Sequence, residues 1–270
     1  MVDPAQPTDD LGKIALAAAL IGAAAIQSIV TAGTPDARFK SGGHDLVTVA
    51  DRESERAVIQ AIRSVRPDDS IVGEEGGGHR GTSDIRWLVD PLDGTANFVY
   101  GRTDYAVSVG AEAAGRPVAG AIVRPTDNRW VMAGRRGAWT GGESPSGSFE
   151  RAVSPIVRSA DTGQTLVAFG LPYPLPERAR ALTVIARLVP RLRGVRILGC
   201  AAGDLAAVAL GQCDAFIGFG LAEWDTAAGE AIVTAAGGEV RHVPRESGRP
   251  TLVAGSDAVV DKLATMVLDP

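Results

Sequence analysis

Trp87-Leu88-Val89-Asp90-Pro91-Leu92-Asp93-Gly94-Thr95-Ala96-Asn97-Phe98 is the most informative stretch of this 270-residue chain. An apolar run ends in two carboxylates on either side of a proline and passes into a Gly-Thr helix start. Pro91, with its fixed φ and missing N–H, favours a tight turn over a continuing strand, so the sequence predicts that Asp90 and Asp93 face one point. Gly94, Thr95 and Ala96 then offer free backbone N–H groups at a helix N-terminus, where amides and dipole favour phosphate. Hard oxygen ligands beside an anion cradle suit Mg²⁺, which takes one or two carboxylates together with substrate phosphate oxygens. At average residue usage, Asp-Pro-x-Asp-Gly-Thr arises by chance in a chain this long with a probability on the order of 10⁻⁴, so a solvated acidic turn is a poor account of it.

Two further acidic elements supply the ligands such a site needs. Ile71-Val72-Gly73-Glu74-Glu75-Gly76-Gly77-Gly78 reads as a short apolar strand ending in paired glutamates and a glycine loop, and Glu223-Trp224-Asp225-Thr226-Ala227-Ala228-Gly229 places Asp225 as the cap of an alanine-rich helix. Taken alone, the glutamate pair is a solvated strand end and Asp225 only an N-cap. In the order Gly-Glu-Glu, Asp-Pro-Leu-Asp-Gly-Thr, Trp-Asp-x-Ala-Ala-Gly, the three elements resemble the inositol monophosphatase family of Mg²⁺-dependent, lithium-sensitive sugar and nucleotide phosphatases.

Composition agrees with a globular enzyme. The hydrophobic share is 45% and the charged share 22%, and 270 residues are enough for one large core or two fused layers. Net charge is −5 and no Lys/Arg block appears, so nucleic-acid binding has no electrostatic footprint, and phosphate must be held by metal and amides. Cys200 and Cys213 form no CxxC pattern, which favours a reduced, cytoplasmic chain. Ile14 to Val30 is almost uncharged, but Leu11, Ile14, Ile21 and Ile29 fall at helical spacings with Ala18 and Ala25 between them. Asp3, Asp9 and Asp10 precede the run, where a signal peptide would be basic. The reading is an amphipathic packing helix, neither signal nor membrane span.

Along the chain, a loop at Phe39-Lys40-Ser41-Gly42-Gly43-His44 leads through Asp45 to Asp51, the expected cap of a helix near Arg52 to Val65. Strand-like runs at Ile85 to Val89, Tyr105 to Ala111, Pro117 to Val123 and Arg129 to Ala133 predict an antiparallel meander, and residues 141 to 148 a surface loop. Strands near Leu166 to Phe169, Val195 to Leu198 and Asp214 to Ile217 then alternate with helices near Glu177 to Val189, Ala201 to Leu210 and Thr226 to Ala236. Expected, therefore, is a single unit over 1–270, with an N-terminal α+β half (1–150) and a C-terminal α/β half (151–270). The resemblance implies that these form a layered α-β-α-β-α sandwich with metal ligands gathered between the halves.

For the site, the resemblance implies one Mg²⁺ on Glu74, Asp90 and the Leu92 carbonyl and a second among Asp90, Asp93 and Asp225, roughly 3.5–4 Å apart. It implies in-line attack by water without a phosphoenzyme, Glu74 and Thr95 orienting the water and Asp51 holding Thr95. Gly94 and Thr95 would bind phosphate, and Asp93, Gly199, Cys200, Ala201 and Asp225 the substrate. The pieces 199 to 204 and 236 to 239 resemble loops the family packs near the active site. Lys40 lies where the family places a mobile lysine near a third, weaker metal; a surface lysine on a flexible loop is the alternative. His44, His79 and His242 lack zinc-hydrolase pairing, no G-x-S-x-G elbow or Walker lysine is present, and Trp87 and Trp224 read as packing anchors.

Substrate choice is the point of departure. Many inositol phosphatases carry a sugar-binding glutamate seven residues before the Trp-Asp aspartate; here that position is Gly218, leaving an altered pocket or one completed by a residue such as Glu223. Inositol 1-phosphate is the first expectation, because Asp93 can touch substrate hydroxyls and Asn97 to Gly101 resembles bacterial inositol phosphatases. Histidinol phosphate, fructose 1,6-bisphosphate and 3′-phosphoadenosine 5′-phosphate are alternatives, and a non-catalytic regulator or scaffold is the alternative of another class. A homodimer acting on a small phosphorylated metabolite is expected from the family.

Overall fold

The computed structural model describes residues 8–33, 37–39, 46–144, 147–154, 156, 161–245 and 248–268. In chain order the first elements are α1 (Thr8–Ala32), β1 (Ala37–Phe39), β2 (Leu46–Thr48), α2 (Val49–Val65), β3 (Ser70–Gly73), β4 (Gly78–His79), β5 (Ile85–Asp93) and α3 (Thr95–Val99). An antiparallel run follows: β6 (Ala106–Ala113), β7 (Arg116–Arg124), β8 (Arg129–Gly134), β9 (Gly137–Ser144) and β10 (Gly147–Ala152). The remainder comprises β11 (Leu166–Gly170), α4 (Leu175–Leu188), β12 (Gly194–Arg196), α5 (Ala201–Ala209), β13 (Ala215–Phe219), α6 (Glu223–Ala235), β14 (Glu239–Val243), β15 (Thr251–Gly255) and α7 (Asp257–Leu268).

These elements stack in five layers, the α-β-α-β-α sandwich. Helices α1 and α2 cover one face of an eight-stranded sheet ordered β10-β9-β8-β7-β6-β5-β3-β4, where Leu11, Ile26, Val58 and Ile62 pack on Trp87, Val89 and Val107. Helices α5 and α6 fill the space between that sheet and a five-stranded one ordered β12-β11-β13-β15-β14, with Leu205, Val208 and Ile232 against Ile122, Val131 and Phe216. On the far face, α4 and α7 bring Ile185, Val259 and Leu263 onto Phe169, Ile217 and Val253. Each layer hides one apolar face of its neighbour, and the middle helices, covered on both sides, are rich in alanine.

Small residues set the spacing. In α1 the buried side chains are Leu11, Ala15, Ala18, Ala19, Ala23 and Ile26, whereas Ile21, expected on the packing face, is 46% exposed. Close approach is the reason: a Cβ at Gly22 would lie 2.7 Å from both Ser54 Oγ and Val58 Cγ2 of α2, so the contact stripe must be the alanine side. By length and hydropathy Leu11–Ala32 would pass as a membrane span, but its alanine face lies against α2 and strands β6 to β8. A second close contact involves Gly110 and Gly120, which are paired across β6 and β7. Added Cβ atoms there would come within 2.8 Å of Ala228 N and 2.7 Å of Ala228 Cα, so the glycine pair forms the notch in which α6 rests.

The meander extends further than its sequence suggests. Residues 141 to 148, expected as a loop, are largely occupied by β9 and β10, with 145 and 146 outside the described residues. Gly141 is needed in that strand because a Cβ would meet the Trp130 ring; its glycine marks close packing, not a turn. Strands β14 and β15 and helix α7 were not anticipated; Thr251 to Gly255 is buried throughout, and a continuous apolar run of this kind has no period to reveal it.

Gly120→Val should drive α6 off the sheet. We expect about 1–3 kcal/mol of lost stability by urea unfolding, the usual cost of overpacking a close-packed contact. An unchanged midpoint would show that α6 tolerates the added volume.

Candidate active site

Parallel pairing of β3 with β5 ends at Gly73 opposite Val89, so the next residues, Glu74 and Asp90, emerge side by side; the Glu74 N–H donates to the Val89 carbonyl at 3.1 Å. Asp225, from the start of α6, reaches the same point. Glu74, Asp90 and Asp225 each place a carboxylate oxygen within 4.8 Å of the other two. Donors so placed, all hard oxygens, fit a divalent cation of the Mg²⁺ or Ca²⁺ kind rather than one that selects thiolate or imidazole.

Pro91 does not make the expected turn. Strand β5 continues to Asp93, with Asp90 opposite Ser108 and Asp93 opposite Ala106, so Pro91 and Leu92 together face one partner residue in a β-bulge. Bulges tolerate a residue without an N–H and re-aim side chains, which achieves what a turn was expected to do. Asp90 Oδ1 accepts the Leu92 N–H at 3.1 Å, and Ser54 Oγ donates to the Pro91 carbonyl at 2.8 Å, so the bulge is tied to α2.

Asp93 is held from the other side of the cleft. Its Oδ2 accepts the Ala202 N–H at 2.6 Å, at the N-terminus of α5. Gly94, with φ +89°, lies so near the start of α5 that a Cβ would be 3.2 Å from the Gly199 carbonyl oxygen and 3.3 Å from Cys200 Cβ. Asn97 Nδ2 donates to the carbonyls of Asp104 and Leu198, each at 2.7 Å, fastening α3 to the same loop. Gly94, Thr95, Gly199, Cys200 and Ala201 are thus gathered beside the carboxylates. Helix α3 is only five residues long, so any anion preference at Gly94-Thr95 comes from its exposed amides more than from a macrodipole.

Thr95 Oγ1 donates to Asp51 Oδ1 at 2.8 Å, and both residues are buried. Asp51 is not the helix cap that its position suggested: Thr48 is, and Asp51 is the third helical residue, closing a capping box by accepting the Thr48 N–H at 2.7 Å. One Asp51 oxygen therefore serves its own helix and the other accepts from the Thr95 hydroxyl, which also lies 3.0 Å from the Leu92 carbonyl. Burial raises the Asp51 pKa above the ordinary carboxylate value, against the pull of the Thr48 and Thr95 hydrogen bonds. Asp225 is likewise third in its helix, not the cap, and its Oδ2 accepts the Ala222 N–H at 2.7 Å.

Electrostatic strain marks the site. Burial, compounded by Glu74, Asp93 and Asp225, lifts the Asp90 pKa well above the usual carboxylate range. Burial raises Asp93 to about 7, against the hydrogen bonds from Ala202 and Cys200. Burial, then Asp93, raises Asp225 to about 8. Carboxylates this close cannot all ionise unless a cation joins them.

Other expected residues lie elsewhere. Residues 236 to 239 follow the C-terminal end of α6, roughly 16 Å along the helix from Asp225, because the chain must traverse α6 before reaching them. Glu223, offered as a completing residue, is paired with Arg86 through a half-exposed ion pair. At Gly218 a Cβ would lie 2.5 Å from Leu221 Cδ1 and 2.8 Å from Phe216 Cε1, so apolar atoms occupy the volume a longer side chain would need. Lys40 and His44 lie outside the described residues. Trp87 is fully buried and donates from Nε1 to Asp69 at 2.8 Å, and Trp224 lies under Arg249, 5.9 Å from its ring centroid. Sequence reading missed Glu55, whose two oxygens accept the Glu75 and Gly77 N–H groups at 2.8 Å each and shape the loop carrying Glu74. Ser54 and Glu55 stand three and four residues after Asp51, one helical face, which is the signal that would have found them.

The inositol monophosphatase family profile matches residues 8–267, nearly the whole chain. This protein belongs to the inositol monophosphatase family. Its members are metal-dependent phosphoric monoester hydrolases, in keeping with the acidic cluster above. The inositol-1-monophosphatase of Mycobacterium leprae is 37% identical over 243 residues, covering 86% of this chain and 81% of that protein. The Nus factor SuhB of Salmonella typhimurium is 35% identical over 246 residues, 87% and 88% of the two chains. Among solved structures, the extragenic suppressor protein suhB of Bartonella henselae superposes with a TM-score of 0.82 at 29% identity, covering 97% of this chain and 99% of that one.

Because Asp93 and Asp225 have folded-state values near 7 and 8 against 3.8 ordinarily, their contribution to metal-free stability is full below about pH 4 and is lost as pH rises toward 8. In EDTA, Tm should fall between pH 5 and 8, and Asp225→Asn should flatten that slope. Equal slopes in the two proteins would show that the carboxylate cluster does not govern it.

Proposed function

We propose that the protein hydrolyses inositol 1-phosphate to inositol and phosphate in a Mg²⁺-dependent, lithium-sensitive reaction, acting as a cytoplasmic homodimer. The observation carrying this reading is the convergence of Glu74, Asp90 and Asp225 within 4.8 Å, beside Asp93. The name inositol-1-monophosphatase borne by the Mycobacterium leprae relative supports the substrate.

In this reading Glu74, Asp90 and the Leu92 carbonyl would hold one Mg²⁺ and Asp90, Asp93 and Asp225 a second, and Lys40 would stand near a third, weaker ion. When bound, the ions supply water activation, neutralisation of phosphoryl charge and stabilisation of the leaving alkoxide. The amides of Gly94 and Thr95 hold the phosphate. Thr95, whose one proton is offered to Asp51 and to the Leu92 carbonyl, would accept a hydrogen from the attacking water and so point the water's free lone pair at phosphorus. Glu74 takes the water's proton as the new O–P bond forms and the ester P–O bond opposite it breaks; the departing alkoxide is protonated by solvent. Asp93 and Asp225 accept substrate hydroxyls, while Gly199, Cys200 and Ala201 edge the alcohol.

Hydrolysis should be abolished by EDTA and restored by Mg²⁺, with Thr95→Ala lowering kcat by about 10²-fold or more. A panel with histidinol phosphate, fructose 1,6-bisphosphate and 3′-phosphoadenosine 5′-phosphate decides the substrate: preference for any of these over inositol 1-phosphate replaces the ester named here while keeping the mechanism. A second reading, a non-catalytic regulator, is favoured by the relative named Nus factor SuhB. It predicts that Asp93→Asn, folded but without turnover, still complements a deletion strain.

A further inference from the structure

Gly73-Glu74-Glu75-Gly76-Gly77-Gly78 has four glycines in six residues and no apolar side chain, so nothing in its own sequence fixes where Glu74 points. Its order comes from α2. Glu55, 5% exposed, reaches into the turn, where Oε2 accepts the Glu75 N–H and Oε1 the Gly77 N–H, each at 2.8 Å. The turn closes around it, with the Gly73 N–H donating to the Gly77 carbonyl at 2.8 Å. Two of the glycines make room for the carboxylate: an added Cβ would lie 2.2 Å from Glu55 Oε2 at Gly73 and 2.2 Å from Oε1 at Gly77. Turn and side chain are thus fitted to each other, and the fit calls for an acceptor-only group, because both groups facing it are donors.

Glu74 is the residue this arrangement places. It stands between Gly73, held by Gly77, and Glu75, held by Glu55, while its own N–H donates to the Val89 carbonyl beside Asp90. Of the three carboxylates that converge within 4.8 Å, Asp90 belongs to a strand and Asp225 to a helix, whereas Glu74 is carried by a turn. A glycine-rich turn left to itself would have to be ordered at the moment a cation binds, and apparent affinity falls in proportion to the fraction of molecules already in the competent form. Charge-assisted hydrogen bonds to Glu55 order it beforehand.

We infer that Glu55 is a positioning residue that sets divalent-cation affinity, acting through Glu74, which it holds in the coordinating position before a cation arrives. The inference rests on the reading of Glu74, Asp90 and Asp225 as cation ligands. Glu55→Gln keeps the side-chain volume but turns an NH₂ group toward one of the two N–H donors, so one bond is lost and two donors face each other.

Mn²⁺ binding to the full-length protein, followed by the EPR signal of the free ion, tests it. Glu55→Gln should raise the Mn²⁺ Kd about 10- to 100-fold, the usual effect of removing a group that orients a metal ligand. In phosphate release from inositol 1-phosphate, the Mg²⁺ concentration giving half-maximal rate should rise in parallel while kcat at saturating Mg²⁺ stays near the wild-type value. A residue that only supports the fold would lower Tm and leave the cation constants unmoved. Gly77→Ala, whose methyl group pushes on Glu55 Oε1 and on the movable end of Ile59, should give a similar change, and the double variant little more than either alone. Glu53→Gln, at a side chain 42% exposed and paired with Arg56, should bind Mn²⁺ as the wild type does. In EDTA, hydrogen exchange over residues 74–78 should be slow in the wild type and fast in Glu55→Gln. Absence of Mn²⁺ binding by the wild-type protein would remove the ligand reading and this inference with it. Wild-type affinity in Glu55→Gln, or fast exchange of 74–78 in the wild type until Mg²⁺ is added, would overturn the inference alone.

Discussion

Mutual repulsion among buried carboxylates is the constraint around which this molecule is arranged. Asp90, Asp93 and Asp225 are each pushed upward by burial and by one another or Glu74. A fold optimised for stability alone would not collect them, because each is easier to ionise in water. Their cost is offset by fixed dipoles: Asp93 on the Ala202 amide, Asp225 on the Ala222 amide, and Asp90 on the Leu92 amide. A cation is the remaining term, and every donor offered to it is a hard oxygen.

Holding three carboxylates within 4.8 Å requires the surrounding layers to be close and stiff. The glycine pair Gly110–Gly120 brings α6, and with it Asp225, down onto the large sheet. Ser54 ties the Pro91 bulge to α2, Glu55 shapes the Glu74 loop from the same helix face, and Asp51 orients Thr95. Helix α2 is therefore the backing plate of the site, and α1 supports it through its alanine stripe. Such second contacts matter because placement errors of about an ångström are costly in a metal or catalytic site.

Around Gly218, where the proposed substrate's alcohol would lie, different rules hold. Leu221 and Phe216 take the volume beside Gly218, and Glu223 forms an ion pair with Arg86. Replacing a hydrogen-bonding wall by apolar atoms weakens discrimination for a polyol more than it weakens attack on phosphorus. Phosphate chemistry and alcohol recognition can thus vary separately on one scaffold.

Sequence alone determined the donor types, their order and the family they resemble, because Gly-Glu-Glu, Asp-Pro-Leu-Asp-Gly-Thr and Trp-Asp are local strings whose chemistry is written in residue identity. It also determined most of the middle strands and helices, whose alternation and periodicity are local. Tertiary structure decided the rest. That Asp90 and Asp93 converge through a bulge depends on pairing with β6, and that Asp51 binds Thr95 depends on α2 crossing β5. The burial of alanine rather than Ile21 in α1, the strands at 141 to 148 and the filled space at Gly218 are all set by distant partners. Side-chain type is a property of the chain; which atoms lie within hydrogen-bonding or van der Waals reach is a property of the packed layers.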